Sequence, residues 1–158
     1  MELLEMYHNV KLQISEDDSI LIDYDLFFDD QKENCKGFVI DEEDELEKVL
    51  YVLSKLKKQF VDSTVYVCAY GEEIINNKGE EIIYADSLWI HTKESVNNLV
   101  SFFEELDSLE PSAIFPLSET EDYFQKKILL FQSTGDIVNL KDKVNESFMK
   151  DIKCIYWD

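Results

Sequence analysis

Three groupings in this sequence bring together residue types that could do chemistry. The first is Asp23 and Asp25, followed by Asp29 and Asp30. Carboxylates at such spacings resemble a calcium loop, but that loop needs a glycine at its sixth position, where this chain has Phe28. The segment also reads as a strand, in which Asp23 and Asp25 share one solvated face. The second grouping is Cys68 with His91, a thiol and an imidazole of the kind that pair as nucleophile and base. Nothing local joins them, and a lone cysteine in a Val- and Tyr-rich strand is ordinarily just packed. The third is Asp86, which interrupts the apolar phase Ile82, Tyr84, Leu88, Ile90. A buried carboxylate needs a partner or a raised pKa, so Asp86 is a candidate site residue. The preferred alternative is a bulge or strand end that turns it to solvent.

Other site chemistries lack their residues. Four glycines leave little room for a phosphate-cradling loop or a nucleophile elbow. His8 and His91 are far apart, and Cys35, Cys68 and Cys154 contain no Cys-x-x-Cys pair, so zinc spacing is missing. All fifteen basic residues are lysine, which removes the bidentate guanidinium fork best suited to phosphate. No cofactor, metal or catalytic residue is expected. Binding is favoured over catalysis, and an enzyme whose acids hold a divalent cation is kept as an alternative.

Charge dominates the composition. Thirty-five acids against fifteen bases give a net charge of -20, where a small soluble domain carries a magnitude of roughly 2 to 8. Self-repulsion on this scale costs stability, and a basic partner is its natural compensation. Direct contact with nucleic acid or an anionic membrane is disfavoured, because both need cationic side chains. Some acids have local duties, such as those at the helix start Asp41 to Glu45. The surplus beside aromatics is the expected partner surface: Asp23, Asp25, Phe28, Asp29, Asp30, Tyr70, Glu72 and Glu73, with Asp86 added for its odd position. Tyr24, Phe27 and Tyr123 are further aromatic anchors within an acidic rim, an arrangement typical of interface hot spots. Such a field would also steer a basic partner to fast association.

These groups need a scaffold. One domain, residues 1–158, is expected, with 45% hydrophobic residues for its core. Widely spaced cysteines point to a reducing compartment, and no apolar run nears the ~20 residues that span a bilayer. Met1 to Val10 has no basic segment of a signal peptide, so a cytoplasmic protein is expected. The first 40 residues read as a meander of three strands, Val10 to Ile14, Ile20 to Phe28 and Cys35 to Ile40. Asp41 to Phe60 is the clearest helix, with a stripe of Leu46, Val49, Leu50, Leu53, Leu56 and Phe60. Strands follow at Thr64 to Tyr70 and Glu81 to His91. A second helix, capped by Thr92 and ended by Pro111, carries Val96, Leu99, Val100, Phe103 and Leu106. Glu81 to Leu117 would form a parallel crossover. Ile128 to Gln132 and Ile152 to Trp157 are further strands, with a short helix in Lys141 to Lys150. The expected class is α+β, a mixed and mainly antiparallel sheet packed with two main helices, with a three-layer α/β fold as the alternative.

Size, acidity and this α+β pattern resemble bacterial immunity proteins of contact-dependent growth inhibition and other polymorphic toxin systems. The stretch Tyr84-Ala85-Asp86-Ser87-Leu88-Trp89-Ile90-His91-Thr92, its following amphipathic helix and Pro111-Ser112-Ala113-Ile114 carry the resemblance. It implies a protein without activity of its own that binds one cognate toxin domain, plugging its active site or blocking its substrate groove. The implied toxin is a basic nuclease acting on tRNA, rRNA or DNA, met by acids that stand in for phosphates. A nucleic-acid mimic or adaptor that binds a basic DNA- or RNA-binding protein is the alternative.

Overall fold

The computed structural model describes residues 3–15, 18–28, 36–38, 43–75, 78–107, 109–124 and 127–157. In chain order its elements are α1 (Leu3–Val10), β1 (Ser19–Asp23), α2 (Tyr24–Phe27), β2 (Lys36–Phe38), α3 (Glu43–Gln59), β3 (Thr64–Ile75) and β4 (Glu81–His91). Then come α4 (Val96–Leu106), β5 (Ala113–Pro116), β6 (Ile128–Phe131), β7 (Ile137–Asn139), α5 (Leu140–Lys143), α6 (Glu146–Lys150) and β8 (Ile152–Tyr156). All eight strands join one sheet, ordered β5-β8-β4-β3-β1-β6-β7, with β2 added on β4. Among the described residues, only β1–β6 and β2–β4 run parallel; the other five pairings are antiparallel. The fold is α+β.

The helices form where periodicity demands them. On α3, Val49, Val52, Leu53 and Leu56 are fully buried, a spacing of three and four that lines one side of a 3.6-residue helix. On α4, Leu99, Phe102 and Phe103 do the same, and Ser95 caps the start by accepting from the Asn98 amide at 3.1 Å. Thr92, expected as that cap, instead accepts from the Glu94 amide. Two apolar layers result. Residues of α1, α3 and α4 cover one face of the sheet, packing with Ile20, Val65, Val67, Leu88, Ile90 and Ile155. Leu117, Leu140 and Met149, with Phe148 at their margin, cover the other, packing with Leu21, Tyr66, Trp89, Leu130 and Cys154.

Several expectations fail for local physical reasons. Val10 to Ile14 is not a strand: α1 runs through Val10 and tightens into a 3₁₀ turn at Lys11–Gln13. The strand from Ile20 stops at Asp23, because the adjacent pair Leu26 and Phe27 are both buried and alternation cannot bury neighbours on one face. A helical turn does so, and it also brings Tyr24 onto Phe28 at 4.9 Å. The meander is absent, since β1 lies between β3 and β6 while β2 pairs β4. Helix α4 ends at Leu106, where Asp107 turns left-handed at φ 49°, well before Pro111. Strands β4 and β5 are parallel, as the crossover requires, but β8 lies between them. Lys141 to Lys150 breaks into α5 and α6, each started by an asparagine cap, Asn139 and Asn145. Strand β7 was not expected; it is three residues long, too short to show a period.

Candidate functional site

The sheet departs from regular geometry at Asp86. Cys68 of β3 pairs with Ser87, and its neighbour Ala69 pairs with Ala85, so Asp86 is the extra residue of a bulge. The bulge reverses the phase of β4. Ile83 and Ala85 face the α3–α4 layer before it, and Leu88 and Ile90 face that layer after it. This is why one apolar phase could not be traced through the strand. The bulge was expected, but the outward turn was not realised: Asp86 is 7% exposed. Its Oδ1 accepts from the Ser87 hydroxyl at 2.9 Å, and its carbonyl accepts from the Trp157 amide at 3.0 Å. A buried carboxylate without such donors would cost several kcal/mol, on the order of 2–7 even for a neutral polar group.

Strand pairing also changes at this residue. Phe38, the last residue of β2, lies opposite Ala85, and Tyr156, the last of β8, lies opposite Ser87. Because β2 is parallel to β4 and β8 antiparallel, the carboxyl ends of both strands converge on Asp86. The joint is closed on the α3–α4 side by the rings of Phe38 and Trp157, 5.6 Å apart. Alternation places Tyr84, Ser87, Cys68 and Tyr156 on the opposite side, and all four are half-buried. Neither apolar layer takes up Tyr84 or Tyr156.

Of the other expected site residues, Asp23, Asp25 and Phe28 are described with their side chains. Asp23 ends β1 opposite Tyr66, and its Oδ2 accepts from the Ser133 amide at 2.9 Å. Asp25 is exposed on α2, not on a strand face with Asp23, and lies 3.7 Å from the Lys57 ammonium. That ammonium also lies 4.2 Å from the Tyr24 ring centroid. Burial first, and Asp25 second, push the Tyr24 hydroxyl up to about 12. Phe28 is no exposed anchor: it packs on Tyr24, Phe27 and Phe38 at the edge of the core, and Phe27 is fully buried. Asp29 and Asp30 lie outside the described residues. Tyr70, Glu72 and Glu73 belong to β3, but their side chains are outside the described part. Glu73 lies seven positions beyond Tyr66 along β3, with two register shifts between them.

Two further features are well formed. A cleft of about 410 Å³ is lined by Tyr123, Lys141, Val144, Asn145, Glu146 and Met149. Its lysine is held by the Tyr123 carbonyl at 3.0 Å and its asparagine by the Phe148 amide, so little of its polar lining is uncommitted. His91 stacks on Phe148 outside that cleft. Its distance from the Cys68 position, on the Thr64 pairing rather than the Ser87 one, leaves no nucleophile and base together. Among the described residues no three His, Cys, Asp or Glu side chains come together as a metal site.

The acidity is unevenly placed. Residues 125–158 hold six lysines against five acids, so the excess, thirty acids against nine lysines, lies in residues 1–124. The densest fully described part surrounds α4, where Glu94, Glu104, Glu105, Asp107 and Glu110 are all exposed. The last turn of α4 has no base. Carboxylates there oppose the helix dipole, a few tenths to about 1 kcal/mol each in the unfavourable direction. Position against the dipole was the readable signal that these acids, unlike those opening α3, are not there for their helix. No family model matches the chain, and neither does any curated protein or solved structure.

Proposed function

We propose that this chain is a non-catalytic immunity protein that binds and neutralises a cognate toxin domain, a basic nuclease, through an acidic surface. The observation that carries the reading is the acidic rim of α4. Glu104, Glu105 and Asp107 are exposed at a helix end that they destabilise, within residues 1–124, which hold the whole charge excess. Charge kept against local stability is explained by a partner that neutralises it. A nuclease supplies the matching surface, since it must hold phosphates with cationic side chains. The partner is then a protein, not nucleic acid or membrane, and the cytoplasm is where protection is needed.

The test is whether a toxin domain is encoded immediately upstream, its absence counting against the reading, followed by co-expression with that domain and a nuclease assay with both purified proteins. Restored growth and stoichiometric inhibition that weakens as salt rises are expected. Recovery of a general DNA-binding protein instead would favour the mimic, and submicromolar binding of magnesium, calcium or zinc in calorimetry would favour an enzyme. Either result overturns the reading.

A further inference from the structure

We infer that the open edge of the sheet along β5 takes an extended segment of the partner, rich in lysine or arginine, as an added strand. This rests on the reading of the partner as a basic protein. Among the described residues β5 pairs with β8 alone, and Ala113 at its start is exposed. The ladder fixes which backbone groups point to the open side. The Trp157 amide donates to the Asp86 carbonyl, and the Thr92 amide to the Asp151 carbonyl. These two bonds bracket the β4–β8 pairing. Antiparallel alternation between them turns the backbone groups of Lys153 and Ile155 toward β4, and those of Cys154 and Tyr156 toward β5. Ala113 and Phe115 lie opposite Tyr156 and Cys154, so Ile114 and Pro116 face outward. Ile114 offers an N–H and a carbonyl there, and Pro116 a carbonyl only.

Charge selects the occupant. Exposed carboxylates stand on both sides of the strand in sequence, Glu110 before it and Glu119 and Glu121 after it. Helix α4 packs against β5 and adds Glu104, Glu105 and Asp107. The lysine of β8, Lys153, lies opposite Pro116 with its ammonium committed to the Thr92 and Asp151 carbonyls. A second copy of the chain is disfavoured twice. Its carboxylates would meet these, and two β5 strands would set Pro116, which has no N–H, in the shared ladder. An added strand binds through main-chain hydrogen bonds. A short edge bearing a proline supports few of them, so cationic side chains on the acids around it must supply the remainder.

Hydrogen exchange on the free full chain is the first test. The Ile114 amide should exchange more than about tenfold faster than that of Phe115, which faces β8. A protected Ile114 amide means that the chain covers its own edge, and overturns the inference. The probe is then the peptide acetyl-Lys-Val-Lys-Val-Lys-amide, followed in amide NMR spectra at low salt. Saturable shifts centred on residues 112–116, with slowed exchange at Ile114, are expected. Full N-methylation of the peptide removes its donors at unchanged charge and should weaken binding about tenfold. Ile114→Pro, at an edge position that tolerates proline, should do the same. Glu110→Lys with Glu119→Lys tests the charge and keeps the question open to refutation if Ile114→Pro does not fold. Shifts centred on Glu104 to Asp107, or equal binding by the methylated peptide, overturn the inference. So does undiminished toxin neutralisation by these variants, which leaves the reading of function standing. Peptide binding along β5 in a chain that neutralises no toxin supports the edge and sinks that reading instead.

Discussion

His91 lies flat on Phe148, with ring centroids 3.6 Å apart and planes 6° from parallel. The stack joins the end of β4 to α6, whose Met149 closes the second apolar layer. Burial lowers the imidazole pKa from its ordinary value; Asp151 works against the shift, while Lys153 and Lys93 add to it. A depressed folded-state pKa means that the unfolded chain takes the proton first. The contribution is therefore present above pH ~6.5 and lost as pH falls below it. Thermal melts from pH 7.5 to 5 should show the wild type losing more stability on acidification than His91→Asn. Parallel profiles would remove His91 from the account.

The α3 packing gives a plain stability test. Leu53 is fully buried beneath the helix, whereas Tyr51 is 57% exposed with Lys55 loosely over its ring. Leu53→Ala should cost about 2–5 kcal/mol in urea unfolding, from lost transfer energy and the cavity left behind. Tyr51→Ala should stay within about 0.5 kcal/mol. Equal effects would mean that α3 does not pack as described.

The contrast between those two residues shows what was legible. Stripes on α3 and α4 could be read because a 3.6-residue period is a local property of the chain, and the limits of β4 could be read for the same reason. Phe102 was missed because both it and Phe103 are buried, so the stripe is wider than one residue per turn. Helix α2 was hidden by its composition: Tyr24, Leu26, Phe27 and Phe28 favour strands, and only tertiary burial of neighbours decides otherwise. The expected acidic surface could not be laid out from the sequence, because its layout depends on register. Whether Asp23 lies near Glu73 is set by pairing between β1 and β3, which no local pattern encodes. Asp86 stands between these cases. Its break in phase announced a bulge, but its burial depends on two strands ending beside it.

Net charge makes a prediction that is independent of any partner. At -20 the folded chain repels itself more than its expanded unfolded state does. The screening length falls from about 30 Å at 0.01 M salt to about 3 Å at 1 M. The melting temperature should therefore rise between roughly 0.01 and 0.5 M sodium chloride. A fall over that range would show that specific ion pairs, such as Lys57–Asp25, outweigh the general repulsion.

The end of α4 separates stability from binding. Glu104→Lys and Glu105→Lys place cations where the helix dipole favours them and should each add about 0.3–1 kcal/mol in urea unfolding. Asp107→Gly relieves an L-residue at φ 49° and should add up to about 1 kcal/mol. If the acids serve a basic partner, the two lysine variants must lose affinity while gaining stability, with slower association and a shallower dependence on salt. Asp107→Gly removes one charge without reversing it and should lose less. Gains in stability with association rates unchanged would mean that the partner approaches elsewhere, because a rim that steers cannot be reversed in sign without slowing the encounter.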